Sequence, residues 1–100
     1  EEPFGPLVPM LSFKDFDEVI ERSNKNDLGL CSYICTNSME QSHRASELME
    51  TGVVAVNTPV VAIAEAPFGG IKQTGYGREG GSNAIKDYLN VKYTHLGIKG

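Results

Sequence analysis

Apolar and polar positions along the 100-residue chain fall into blocks whose spacing changes from one block to the next. Leu7–Phe13 is a short, mostly apolar run and reads as a buried strand. Phe16, Val19 and Ile20 then recur at the i, i+3, i+4 spacing of a helix face. Asp15 supplies an N-cap for that helix, Glu18 three residues on makes a capping-box pattern, and the polar stretch Ser23–Asp27 ends it. Leu30–Thr36 is the next strand. A second helix follows, with Asn37 or Ser38 as its cap, Ala45, Leu48 and Met49 on its inner face, and Gly52 as its stop. Val53–Val56 is a third, β-branched strand. Strand, helix, strand, helix, strand with short links is a βαβαβ order, and such crossovers imply an α/β fold with a parallel sheet.

After Pro67 the periodicity gives way to glycine: Gly69, Gly70, Gly75, Gly77, Gly80 and Gly81 are six of the eleven in the chain. An amphipathic helix is predicted over Ser82–Leu89, with Ala84, Ile85, Tyr88 and Leu89 on one side, and a strand over Val91–Ile98. The change near Pro67 divides the chain into an α/β portion, 1–66, and a portion of loop, helix and strand, 67–100. A parallel sheet is covered by helices on both faces. Three strands with two helices cover little, so the layout reads as part of a larger α/β domain.

Composition narrows the classes. Hydrophobic residues make up 40% and charged residues 22%, the balance of a globular chain. The formal net charge of −4 argues against a nucleic-acid partner held by phosphate neutralisation. No apolar run approaches the ~20 residues that span a bilayer, so no membrane partner is expected, and no signal-peptide pattern opens the chain. Charge is also polarised. Acidic residues dominate 1–65, whereas Lys72, Arg78, Lys86, Lys92 and Lys99 face only Glu79 and Asp87 in 66–100. Cys31 and Cys35 are too few for a disulfide scaffold and favour a reduced, cytoplasmic setting. With only His43 and His95 to join them, they are expected as structural thiols, and no metal site is expected.

Gly75–Gly80 matches the G-x-G-x-x-G dinucleotide fingerprint, but the strand expected immediately before it and the acidic residue expected after it are missing. Glycines shaping an irregular loop are the better reading. Gly70 to Gly75 has P-loop spacing, yet Tyr76 stands where the phosphate-binding Lys is needed. Two other loops are more unusual. Pro3-Phe4-Gly5-Pro6 and Pro67-Phe68-Gly69-Gly70 each fix an aromatic ring on a stiff turn beside glycine, either as a core plug or as the wall of a pocket. Glu2 and Glu65 are the carboxylates that share such proline-containing loops.

These loops carry a resemblance. Glu1-Glu2-Pro3-Phe4-Gly5-Pro6 resembles the E-E-x-F-G-P signature of the NAD(P)-dependent aldehyde dehydrogenase superfamily. Asn26–Leu30 is similar to its N-x-x-x-G-L run, Gly52 to Asn57 to its G-x-x-x-x-N, and Pro67–Glu79 to its P-F-G-G-x-K-x-S-G-x-G-R-E block. Within the family, Ala66–Lys72 and Asp87–Tyr93 look like the succinate-semialdehyde branch. Ala62 stands where that branch tends to carry a hydroxyl that helps hold the substrate carboxylate. The resemblance places the chain at the C-terminal end of a longer enzyme that oxidises an aldehyde with NAD or NADP through a thiohemiacetal. It implies Glu2 on the nicotinamide-ribose hydroxyls, Phe4 beside the nicotinamide and Phe68 on the aldehyde tunnel. It also implies a final strand in an oligomerisation arm that pairs like subunits, and no catalytic residue within the chain, since the nucleophilic Cys, general-base Glu and oxyanion Asn lie upstream. Two further readings are a non-catalytic assembly module and a free-standing dinucleotide-binding domain.

Overall fold

The computed structural model of the chain describes residues 3–100. Helix α1, Phe16–Asn24, begins where the sequence predicts. The Asp15 carboxylate accepts a hydrogen bond from the Glu18 N–H at 2.9 Å. Glu18 reaches back to accept from the Lys14 N–H at 2.8 Å, so the reciprocal bond closes one residue earlier than in a standard capping box. Strand β1, Leu28–Gly29, and strand β2, Cys31–Ile34, follow. Helix α2, Met39–Leu48, starts on Ser38, whose hydroxyl accepts from the Gln41 N–H at 3.2 Å. Strand β3 is Val53–Val56, and strand β4, Ile71–Lys72, lies inside the glycine-rich segment.

The α/β expectation holds in its centre. β2 and β3 pair in parallel, Cys31 opposite Val53 through Ile34 opposite Val56, with α2 as the crossover between them. Asn57 extends the pair. Its side-chain amide both donates to the Thr36 carbonyl (2.8 Å) and accepts from the Thr36 N–H (3.0 Å). The small core sits under this unit, where Ala45 of α2 is 0% exposed and Ala55 of β3 and Ile20 of α1 are buried. Methyl-sized residues let the helix lie close on the strand. The two helices are tied by the Arg44–Asp17 ion pair at 2.6 Å, with the Arg44 guanidinium 4.7 Å from the centre of the Phe16 ring.

Several expected elements do not form. Leu7–Phe13 is no strand: it runs without regular structure, with its large side chains exposed. Val91–Ile98 is no strand either, and Val91, Tyr93, Leu96 and Ile98 are all exposed. Both runs have the side chains of interior strands, yet among the described residues no neighbouring strand offers them a ladder. The helix expected over Ser82–Leu89 is a 3₁₀ turn, Ala84–Tyr88, with no buried side chain to favour the wider α-helix. The βαβαβ order therefore reduces to one βαβ unit, preceded by α1 and flanked by an antiparallel β1–β4 pair that the sequence pattern does not reveal.

Gly52 corrects another expectation. α2 ends at Leu48, with Met49 as its extended C-cap, so Gly52 is not the helix stop. Its backbone instead lies against Gly69, and a Cβ at position 52 would fall inside the Gly69 carbonyl group. The chain as a whole is extended, 75 × 33 × 25 Å, with a radius of gyration of 19.2 Å, where a compact chain of this length gives about 13 Å. It exposes 8672 Å², against about 5,600 Å² for a compact protein of its mass.

Gly52→Ala is therefore expected to lower stability by about 3 kcal/mol, because backbone must move to admit the methyl group. Asp15→Ala, which removes only a cap, is expected to cost about 1 kcal/mol. Urea unfolding followed by circular dichroism distinguishes the two, and equal losses would contradict the tight seat of Gly52.

Candidate functional site

Phe68 stands at the base of a loop that folds back on itself. Its N–H donates to the Glu79 carbonyl at 2.7 Å and its carbonyl accepts from the Glu79 N–H at 2.8 Å, an isolated antiparallel bridge. Beyond that bridge the loop is cross-braced by Arg78, whose Nη1 donates to the carbonyls of Gly70 (2.8 Å) and Gly77 (2.7 Å). The Arg78 N–H donates to Asp87 Oδ2 at 3.1 Å, which joins the loop to the 3₁₀ turn. Gly75, Gly77, Gly80 and Gly81 all have positive φ, the conformation that makes glycine the economical choice there. Phe68 is thus half-buried on a frame of backbone hydrogen bonds.

The loop is fastened to the βαβ unit by Lys72. This residue adopts φ 56°, a left-handed conformation that costs a non-glycine residue roughly 1–2 kcal/mol. From it the ammonium donates to the carbonyl of Asn24 at 2.7 Å and that of Asn26 at 3.0 Å, beside the C-terminus of α1. It also pairs with Glu50 Oε2 at 2.6 Å, just past α2. Asn24 completes the junction: its amide donates to the Leu48 carbonyl at 2.7 Å and accepts from the Glu50 N–H at 2.9 Å. Two more bonds, Gln73 N–H to the Asp27 carbonyl and Gly29 N–H to Thr74 Oγ1, fix the same corner.

The expected site residues are not gathered into one place. Phe4 is 97% exposed, so its ring packs against nothing, Phe68 included. Glu2 lies outside the described residues. Gly75–Gly80 forms a turn between β4 and the 3₁₀ segment, with no α-helix opening at its end to receive a pyrophosphate. Lys72, Arg78 and Asn24 were missed by sequence reasoning. Only Lys72 and Arg78 carried any signal, as the cations of a glycine-rich segment.

A second concave surface is a groove between the start of α1 and β2, lined by Phe13, Phe16, Cys31 and Tyr33 among others. Cys31 is part-buried and Cys35 exposed, and both are free thiols. Hydrogen bonding with the neighbouring Cys31 sulfur, then desolvation, then the sulfur's charge when ionised push the Tyr33 phenol up from its usual range. On the surface of α1 a hydrogen bond from Lys25, reinforced by its charge, holds Glu21 below the usual carboxylate range. Among the described residues no group of three His, Cys, Asp or Glu side chains could hold a metal ion, and no helix is long and apolar enough to cross a membrane.

Residues 1–94 match the model of the aldehyde dehydrogenase family. The chain belongs to that family. It is 48% identical over 97 residues to the 3-sulfolactaldehyde dehydrogenase of Pseudomonas putida, covering 97% of this chain and 20% of that protein. It is 43% identical to the NADP-dependent succinate-semialdehyde dehydrogenase of Escherichia coli, covering 98% of this chain and 20% of that one. Among solved structures it is similar to the NAD⁺ complex of an aldehyde dehydrogenase from Bacillus cereus. The TM-score is 0.87 at 41% identity, over 96% of this chain and 20% of that chain. The chain thus spans about a fifth of the length of these relatives.

The raised Tyr33 phenol has a measurable sign. Raised in the folded chain, the phenol favours folding below the ordinary tyrosine range, and the contribution is lost as pH rises through its own ionisation. Tyrosinate absorbance during an alkaline titration should show a late component. Cys31→Ala should bring it back among the other tyrosines; an unchanged midpoint would assign the delay to another cause.

Proposed function

We propose that the chain is the C-terminal part of an NAD(P)-dependent aldehyde dehydrogenase that oxidises an aldehyde bearing an anionic tail to the carboxylate. Membership of the family supports the reaction class, and the relatives named above act on a sulfonate-bearing and a carboxylate-bearing aldehyde. The observation that carries the reading is the Phe68 loop. A half-buried aromatic ring, set by two backbone hydrogen bonds in a braced frame, is the kind of rigid apolar wall that orients a small substrate. The covalent step, attack on the aldehyde carbon to give a thiohemiacetal, falls to a cysteine outside these residues. Cys31 is part-buried in β2, and the hydrogen bond its Sγ makes is to the Ser32 carbonyl at 3.9 Å, an acceptor that cannot deprotonate the thiol.

The residues at the N-terminal end fit a nicotinamide nucleotide in their chemistry. Phe4 presents a free aromatic face, and nothing lies within 4 Å of where a Cβ on Gly5 would stand, so a flat ring can approach. Glu2 offers a carboxylate for ribose hydroxyls, a charge-assisted bond that orients without reacting. NAD(P), when bound, supplies the hydride acceptor. The glycine-rich loop does not fit a pyrophosphate: it opens onto no α-helix, and the Arg78 guanidinium is spent on carbonyls. On this reading residues 1–66 complete a catalytic domain, and 67–100 carry the substrate wall and an exposed segment that pairs with another subunit. The bare apolar side chains of Val91–Ile98 support such an assembly surface. A cytoplasmic enzyme accords with two unbridged thiols.

The full-length enzyme carrying this segment should reduce NAD or NADP in the presence of succinate semialdehyde, followed by absorbance of the reduced nicotinamide. Phe68→Ala should raise the aldehyde KM by about tenfold, the scale of one lost apolar wall. The 100-residue chain alone should reduce none, and turnover by that chain would overturn the reading.

A further inference from the structure

Resting on that reading of Phe68, we propose that Lys72 is a positioning residue for the aldehyde: its ammonium holds the Phe68 wall at the height the substrate needs. Three observations converge on it. The first is conformational. Four glycines take the positive-φ positions nearby, yet at φ 56° the segment carries a lysine. A strained non-glycine residue persists where its side chain over-determines the position. The second is the set of partners. Asn24 and Asn26 belong to the exit of α1, Glu50 to the exit of α2, and Lys72 itself to β4. One three-quarters-buried side chain therefore fixes the loop to both helices at once. The third is reach. Glu50 lies two residues before Gly52, whose backbone abuts Gly69, the neighbour of Phe68. Drawing Glu50 towards Lys72 seats Gly52 under Gly69, and Gly69, Gly70 and Ile71 carry the other end of the constraint to Phe68.

The Lys72 ammonium is engaged by two carbonyls and Glu50, so on this proposal the pair acts through the ring. Loosening the ammonium should let Phe68 shift and reduce its contact with bound aldehyde, while the nucleotide end of the site stays as it was. A small displacement of a positioned group has a large kinetic effect.

The experiment uses the full-length enzyme. Lys72→Met is expected to raise the aldehyde KM about tenfold while the NAD(P) KM stays within about twofold. Lys72→Arg, which keeps charge and donors, is expected to restore most of the difference. In the decisive double variant, Lys72→Met with Phe68→Ala, the aldehyde KM should match that of Phe68→Ala alone, because a wall already removed cannot be displaced. Independent, multiplied effects would overturn the proposal, as would a lower melting temperature with unchanged KM values, the mark of a purely structural tie. Should Lys72→Met fail to fold, Glu50→Ala removes one of the three partners. It should raise the aldehyde KM about threefold, again without effect in a Phe68→Ala background. A wild-type KM in Glu50→Ala, with that partner lost, would count against the proposal. Inactivity of the wild-type enzyme on every aldehyde tested would instead remove the functional reading. Wild-type activity with unaffected Phe68→Ala kinetics would remove the role of the ring.

Discussion

A parallel β-pair cannot stand bare in water. Its strands run in one direction, so the chain between them must cross over one face, and the opposite face needs a second cover. Here α2 makes the crossover from β2 to β3 and brings Ala45 to the core beside Ala55, with α1 packed alongside. Of the two strands only Ala55 is buried, and most of the other properties of the chain follow from that thin cover. The groove on β2 stays open, the core is limited to a few small side chains, and two apolar runs extend into solvent. The 75 Å length and the excess accessible area are the same fact expressed in two measures.

Local chemistry was legible in the sequence where both halves of an interaction lie close together along the chain or follow a topological rule. Asp15 caps the helix expected of it and Ser38, one of the two candidates, caps the second, because a cap is settled within four residues. The parallel pairing of β2 and β3 was legible for a similar reason, since a βαβ crossover has one favoured outcome. Leu7–Phe13 and Val91–Ile98 show the opposite case. Their composition is that of buried strands, and composition describes the environment a segment suits without supplying it. The 3₁₀ turn at Ala84–Tyr88 also departs from its amphipathic pattern, because no surface receives its apolar side.

The site was legible as a loop and illegible as a mechanism. Phe68 could be singled out because proline and glycine around an aromatic ring are unusual together. Its bridge to Glu79, eleven positions away, could not be read, since backbone hydrogen bonds carry no side-chain signature. Lys72 was hidden for the same reason. Its carbonyl partners Asn24 and Asn26 lie nearly fifty residues earlier, and any residue type presents the same carbonyl. Gly52 was read as a helix stop from position alone; its actual constraint is a contact with Gly69 that only the folded chain creates.

That contact also divides the glycine-rich segment into parts of unequal freedom. At Gly69 and Gly70 the space a side chain would take is already filled by backbone and by the Arg78 and Thr74 side chains, so neither position admits a larger residue without movement. At Gly75 no atom lies within 4 Å of a would-be side chain, and the neighbouring Tyr76 is fully exposed. The loop is clamped at its root and free at its tip. Insertions at the tip can lengthen the surface without disturbing the wall, so this corner can acquire new surface while keeping its pocket geometry.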